Sequence, residues 1–250
     1  MKAVFLGTNG WYSTALGNTS CVLLDTQKYY VVLDAGDGLH KLNNFVDSDK
    51  PIILFLSHLH LDHIIGLHVL NKFKFSQGIA IYGYEGTEDG LKIIDHPYTA
   101  HLNQLSTKVT VHDIKDGKHY HPFPFTCKLL VHADQCLGYR IELDNKVIAY
   151  CTDTGICKNI YDLSENADLL ITECSLKPMQ NIEKWSEKWP HLRPEDSANI
   201  AKESNVRKLV LTHFDANNYR SKEDRILAEA CAQKIFRETV AAFDGDKIEI

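Results

Sequence analysis

Four side chains able to bind a divalent cation fall within six positions of Ser57-His-Leu-His-Leu-Asp-His63: His58, His60, Asp62 and His63. Imidazole with carboxylate suits zinc, and also manganese or iron. The spacing divides them. On an extended backbone His58 and His60 project to the same side, so one cation can take both. Asp62 and His63 fall after the bend and can reach a second. The preceding run, Pro51-Ile-Ile-Leu-Phe-Leu56, has the length and β-branched, apolar character of a buried strand. Ligands on a turn at the carboxyl edge of such a strand can converge without filling the core.

Three more candidates share that local setting. His132 follows the apolar-rich run 125–131, Asp153 follows 146–152 and precedes a Thr154-Gly155 turn, and His213 follows Lys208-Leu-Val-Leu-Thr212. Taken in order, His-x-His-x-Asp-His and then a strand-end His, Asp and His, the pattern resembles the metallo-β-lactamase superfamily over nearly the whole chain. The resemblance implies that His58, His60 and His132 hold a first metal, that Asp62, His63 and His213 hold a second, and that Asp153 bridges them. Asp34, in Val31-Val-Leu-Asp-Ala-Gly-Asp-Gly38, fits the superfamily's earlier strand-end aspartate, expected as a hydrogen-bond acceptor beside the site. Two divalent ions, zinc with manganese or iron as alternatives, would lower the pKa of bound water from about 15.7 to about 7. The expected reaction is attack by the resulting metal-bound hydroxide, with Asp62 also orienting the water. Redox di-iron relatives carry Glu where this chain has His60, which favours hydrolysis.

Within the superfamily, Ile171-Thr-Glu-Cys174, Pro190-His-Leu-Arg-Pro-Glu-Asp-Ser197 and Leu209-Val-Leu-Thr-His-Phe214 resemble the ribonuclease Z-like branch. That likeness implies that Glu173 and His191 act together near a scissile phosphate. Carboxylate beside imidazole raises the imidazole pKa and lets it protonate a departing alkoxide. His191 precedes Pro194, whose position suits the first turn of a helix; the bland alternative is an exposed helix-start histidine and a solvated Glu173. True ribonuclease Z clamps tRNA with a long arm, commonly between the third histidine and the bridging aspartate. Here only 21 positions separate His132 from Asp153. A phosphodiesterase acting on a small phosphodiester, a cyclic nucleotide or a short nucleotide substrate is therefore expected. The alternatives are a tRNA 3′-processing endonuclease and a carboxylic ester, lactone or thioester hydrolase. A non-catalytic scaffold is disfavoured because no ligand is missing.

Composition sets bounds. The 250 residues suffice for one large domain spanning 1–250. A formal charge of −6, from 27 basic and 33 acidic residues, argues against gripping long nucleic acid. No run approaches the ~20 apolar residues of a membrane span. The opening Met1-Lys-Ala-Val-Phe-Leu-Gly7 reads as a strand rather than a signal peptide. Seven scattered cysteines, an odd number, suit a reduced, cytoplasmic protein, with Cys151 and Cys174 as buried strand residues. The family resemblance adds a homodimer. Trp185 and Trp189 read as one packed face of a short helix rather than a base-stacking lid. His96-Pro-Tyr98 lines the entrance in this reading, and His101, His112, His119 and His121 are surface residues. Gly7-Thr-Asn-Gly10 lacks the Lys-Ser/Thr of a nucleotide loop and reads as a turn beside the metals.

The elements that must carry these residues follow from periodicity. Strands are predicted at 3–6, 20–25, 30–34, 52–56, 79–83 and 109–114, with helices at 38–45, 67–75 and 87–94. A meander follows at 123–131, 138–143 and 146–151, turning at Asp144-Asn145. Strands at 169–172 and 206–211 alternate with helices at 194–204 and 222–239, and 248–250 ends the chain. Periodicity alone gives a mixed α/β class. The resemblance sharpens it to four layers, αββα, with two packed mixed sheets and helices outside.

Overall fold

The computed structural model describes residues 1–95, 97–181 and 190–250. Its first half runs β1 (Lys2–Gly7), β2 (Asn9–Gly10), β3 (Cys21–Asp25), β4 (Tyr30–Leu33), β5 (Ile52–Phe55), α1 (Leu61–Ile64), β6 (Ile79–Tyr84), α2 (Thr87–Ile93) and β7 (Val109–Ile114). The second half runs β8 (Gly117–His119), β9 (Phe125–Leu129), β10 (Leu137–Leu143), β11 (Lys146–Cys151), α3 (Lys158–Ser164) and β12 (Leu169–Glu173). Then come α4 (Pro194–Glu203), β13 (Leu209–Thr212), β14 (Phe214–Asp215), α5 (Lys222–Gln233), β15 (Thr239–Ala241) and β16 (Lys247–Glu249). Two seven-stranded sheets result, ordered β16-β1-β3-β4-β5-β6-β7 and β15-β13-β12-β11-β10-β9-β8.

Strand alternation explains the layering. Ala3, Phe5, Val31, Leu33, Ile53 and Phe55 of the first sheet meet Phe125, Tyr139, Ile148, Tyr150 and Ile171 of the second in one buried cluster. The intervening residues, Val4, Leu6, Tyr30, Val32 and Leu54, point the other way onto Leu39, Leu42, Leu67, Leu70 and Leu91 of the outer helices. On the far side Ala149, Leu170 and Leu211 pack on Ile160, Leu163, Ile200 and Ala228 of α3, α4 and α5. Both faces of each central strand are covered, which is why these strands are apolar throughout rather than alternating. Phe55 sits at the centre of the inter-sheet layer, its ring 4.9 Å from those of both Phe125 and Tyr139. Burying such a ring stabilises the fold by about 1.5–3 kcal/mol. The four-layer αββα expectation holds.

Strand direction brings the chemistry to one edge. β1 and β4 are each antiparallel to β3, and β4 is parallel to β5. In the other sheet β9 and β11 are each antiparallel to β10, and β11, β12 and β13 are parallel. Each set therefore ends its strands on one side. Leu137 N, donating to Ser57 O at 2.8 Å, ties the sheets together beside the motif loop.

Several elements depart from expectation. The helices predicted at 38–45 and 67–75 are 3₁₀ segments, Asp37–Asn44 and Ile65–Lys72. They cross closely: a Cβ on Gly66 would lie 2.1 Å from Gly36 O. The helix predicted to reach 239 stops at Gln233 because the β-branched Thr239 and Val240 pair in parallel with β13. Tertiary pairing overrides local helical spacing there. Sequence reading missed α3, whose two buried anchors, Ile160 and Leu163, give too short a signal. The meander is present, and its turn places Asp144 (φ 53°) and Asn145 (φ 58°) in the left-handed region a tight hairpin requires. Residues 132–153 thus hold paired strands and no arm. Among the described residues no helix is long and apolar enough to cross a membrane.

Candidate metal centre

Asp34 organises the inner wall. It ends β4 with φ 58° and is fully buried. Its Oδ1 accepts from Ser57 N at 2.7 Å, and its Oδ2 accepts from Ser57 Oγ at 2.8 Å, His63 Nδ1 at 2.7 Å and Tyr150 Oη at 2.7 Å. With Nδ1–H committed, His63 turns Nε2 toward the cluster. His58 Nδ1 reaches Ser57 Oγ at 2.9 Å, which likewise aims His58 Nε2 inward. His60 is held the other way round: its Nε2 donates to Asp134 Oδ2 at 2.9 Å, leaving Nδ1 3.3 Å from His132 Nε2. Such partners fix tautomer and ring orientation at metal sites.

The remaining candidates arrive from the second sheet. Asp153, just beyond β11, points Oδ2 at His63 Nε2 (3.6 Å), His58 Nε2 (3.9 Å) and His132 Nε2 (3.9 Å), and Oδ1 at His213 Nε2 (3.1 Å). His213 Nε2 also lies 3.3 Å from Asp62 Oδ2 and 3.0 Å from His63 Nε2. Ser175 Oγ holds His213 Nδ1 at 3.2 Å. Gly10 makes room for that ring, since a Cβ there would lie 2.5 Å from it.

All seven predicted ligands are therefore gathered. They form two sets, His58, His60, His132 and Asp153, and Asp62, His63 and His213, each with its donor atoms within 4.8 Å of one another. The chemistry fits a cation pair. His58 Nε2 is fully buried, has no hydrogen-bond partner and faces a carboxylate, the setting of a lone pair awaiting a ligand. Burial holds the His58 pKa well below, and that of His132 below, the ordinary histidine value, so both are neutral. Burial opposes charge on His63 and His213 as well, but Asp62, Asp34 and Asp153 outweigh it for His63, and Asp153 and Asp62 for His213. Protons on those two rings supply the positive charge that the carboxylates demand, and a cation entering there displaces them.

Asp34 carries a prediction. Asp34→Ala strands four buried donors and should cost about 3–5 kcal/mol of stability. It should also weaken metal binding by about 10–100-fold through His63. Urea unfolding and a zinc titration check this; unchanged values for both would contradict the role given to Asp34.

Glu173 and His191 meet beside the cluster. Glu173, fully buried at the end of β12, accepts from Thr154 N at 2.6 Å and from Leu192 N at 3.3 Å. Both its oxygens lie 3.0 Å from His191 Nδ1. The bland expectation of a solvated Glu173 is thus overturned. As the position of Pro194 implied, His191 precedes the helix: α4 begins at Pro194 with Arg193 as its cap, and Asp196 is spent on Arg193. The ring is oriented by Glu173, not by the helix turn. Burial alone would lower its pKa, but Glu173 outweighs burial and pushes it up to about 9. The His191 and His132 ring centroids are 5.5 Å apart. Both rings line one cavity of about 480 Å³, together with Asp62, Asp153 and His213.

Sequence reading missed Asp134, Ser175 and Trp11. Asp134 stands two positions after His132, the same-side spacing of His58 and His60, so a signal existed. Ser175 and Trp11 have no periodic or motif signal. Trp185, Trp189 and His96 lie outside the described residues.

Comparison with known proteins gives the geometry its relatives. A sequence profile described as "Beta-lactamase superfamily domain" matches residues 29–214. "Probable metallo-hydrolase YhfI" of Bacillus subtilis (strain 168) is 29% identical over 223 residues, covering 86% of this chain and 87% of that protein. "Ribonuclease Z" of Methanosarcina mazei is 24% identical, covering 100% and 98%. The crystal structure of the metallo-beta-lactamase fold protein YhfI from Bacillus subtilis superposes with a TM-score of 0.81 at 25% identity, covering 99% of each chain. Human tRNase Z, short form, superposes with a TM-score of 0.75 at 23% identity, covering 100% and 99%, a likeness of fold.

Proposed function

The chain belongs to the β-lactamase superfamily and is a metal-dependent hydrolase, and we propose that it is a dinuclear-zinc phosphodiesterase cleaving a small phosphodiester or cyclic nucleotide. His58, His60 and His132 hold one ion in this reading, Asp62, His63 and His213 the other, and Asp153 both. Zinc suits the imidazole-rich donor set. Such a pair supplies water ionised at neutral pH and neutralises charge on phosphate oxygens.

The observation that carries the reading is the buried Glu173–His191 pair opening into the same cavity as the ligands. His191 Nε2 makes no hydrogen bond among the described residues, while Glu173 keeps the ring protonated at neutral pH. Nε2–H is thus available to protonate the departing oxygen, and Glu173 stabilises the charge on the ring until the proton leaves. An ester, lactone or thioester leaves more readily and needs this less. Asp62 Oδ2, fixed by Trp11 N at 2.8 Å, orients the attacking water as well as binding an ion. The short hairpin at 132–153 and the charge of −6 favour a small substrate over tRNA. Seven free cysteines favour a cytoplasmic setting.

A turnover screen of the zinc-loaded protein tests the proposal, comparing 2′,3′- and 3′,5′-cyclic nucleotides, bis-aryl phosphodiester, precursor tRNA and aryl esters. A phosphodiester should lead by at least tenfold in kcat/KM. Faster cleavage of the aryl ester, or of precursor tRNA at its 3′ end, would overturn it.

A further inference from the structure

Among the described residues, Trp11 is the largest aromatic side chain left in solvent at the mouth of the metal cavity: it is 66% exposed and lines the same cavity as Asp153 and His191. Its backbone has φ 70°, a region that bulky residues rarely adopt. Three contacts hold it there. Gly10 precedes it on β2, which pairs in parallel with β14 immediately after His213. Its N–H donates to Asp62 Oδ2 at 2.8 Å. The Tyr12 ring sits edge-on to the indole, with centroids 5.2 Å apart and planes at 69°. An exposed indole, on a backbone anchored to a candidate metal ligand, presents a flat surface at the cavity mouth.

A second, more open chamber of about 560 Å³ adjoins the cavity and shares Gln180, Asn217 and Asn218 with it. Its described lining includes Lys177 and Arg220 and no acidic residue. Asn217 holds the Arg220 guanidinium, accepting from Nε at 2.8 Å through its carbonyl oxygen and from Nη2 at 2.6 Å through Oδ1. An aromatic ledge, the candidate metal ligands and an adjoining cationic chamber complement a molecule carrying a planar ring, a scissile phosphate and further negative charge.

Resting on the phosphodiesterase reading, we propose that Trp11 is a nucleobase-stacking subsite, so that the substrate is a nucleotide rather than a simple phosphodiester. The base lies on the indole face, and the Lys177–Arg220 chamber receives a neighbouring phosphate when the substrate has one. Stacking on an aromatic face tolerates any base, so purines, with the larger face, are preferred.

Trp11→Ala and Trp11→Phe separate platform from backbone, because both carry the same cost of the left-handed conformation and both keep the N–H to Asp62. The quantity to follow is the ratio of kcat/KM for adenosine 2′,3′-cyclic phosphate to that for glycerol 1,2-cyclic phosphate, which has no base. Trp11→Ala should lower this ratio roughly tenfold to a hundredfold, and Trp11→Phe by less than about fivefold. A second readout is calorimetric binding of adenosine 5′-monophosphate against ribose 5-phosphate; the preference for the former should vanish in Trp11→Ala. Equal losses on both cyclic phosphates, an unaltered binding preference, or a changed oligomeric state with an unaltered ratio would each overturn the subsite. If the wild-type protein cleaves no phosphodiester of the turnover screen, the phosphodiesterase reading fails, and the binding arm still decides whether Trp11 recognises the base.

Discussion

His191→Ala is expected to lower kcat on an alkyl-leaving phosphodiester by about 10²–10⁴-fold, the range for loss of a positioned proton donor. A nitrophenyl phosphodiester, whose leaving group departs as a stable anion, should lose far less. Bound zinc should be retained, since the ring contacts Glu173 through Nδ1 and is not in either ligand set. The dependence on pH follows from the same geometry. Glu173 raises the His191 pKa to about 9 against the opposing effect of burial, and bound dications push it back down. The active form is protonated, so activity falls as pH rises through that pKa, which in the loaded enzyme lies below 9. This alkaline limb should disappear in His191→Ala. In Glu173→Gln it should move to lower pH, because the charge that favours the imidazolium is gone. Equal losses on alkyl and nitrophenyl substrates, with the limb intact, would remove His191 from proton donation.

Asp153→Ala should abolish turnover and take most of the bound metal with it. Four imidazoles converge on this one carboxylate, His58, His63 and His132 on Oδ2 and His213 on Oδ1. Without it two dications would share a buried site with no common anion, a repulsion that Asp62, placed on one ion only, does not relieve. Thr152 Oγ1, 2.9 Å from Asp153 Oδ1, could not replace the charge. Asp153→Asn separates charge from volume: it fills the same space and should bind metal little better than Asp153→Ala. Near-normal rates in either variant would show that Asp153 does not bridge the ions.

The candidate ligand set was legible in the sequence because its members lie on the segments that follow apolar strands, and a polar residue after such a run has few places to go. Strand direction then does the gathering. β5, β9, β11 and β13 all deliver their carboxyl ends to the inter-sheet edge, so residues as far apart as His58 and His213 meet. The Glu173–His191 pairing and the place of His191 ahead of Pro194 were also readable, but the orientation of the pair was not: both Glu173 oxygens meet His191 Nδ1 through packing between separate segments. Where local and tertiary preferences compete, reading failed. Residues 234–238 continue a helical pattern, yet Glu229 Oε2 accepts from Ala241 N at 2.7 Å and draws the chain into the sheet edge. The 3₁₀ segments are set by the close passage of Gly36 and Gly66, a contact between distant loops. Asp134 and Trp11 were missed for another reason. Their positions are fixed by hydrogen bonds to His60 and Asp62 across separate loops; the spacing of Asp134 from His132 hinted at its place, and Trp11 left no trace.

Counting bound metal tests the central claim most directly. The purified protein, loaded with zinc, freed of excess by dialysis and assayed by elemental mass spectrometry, should retain two equivalents per chain, one for each ligand set. Asp153→Ala treated alongside should retain fewer than one. A wild-type protein that keeps one equivalent or none, or an Asp153→Ala variant that keeps both, would contradict the dinuclear account.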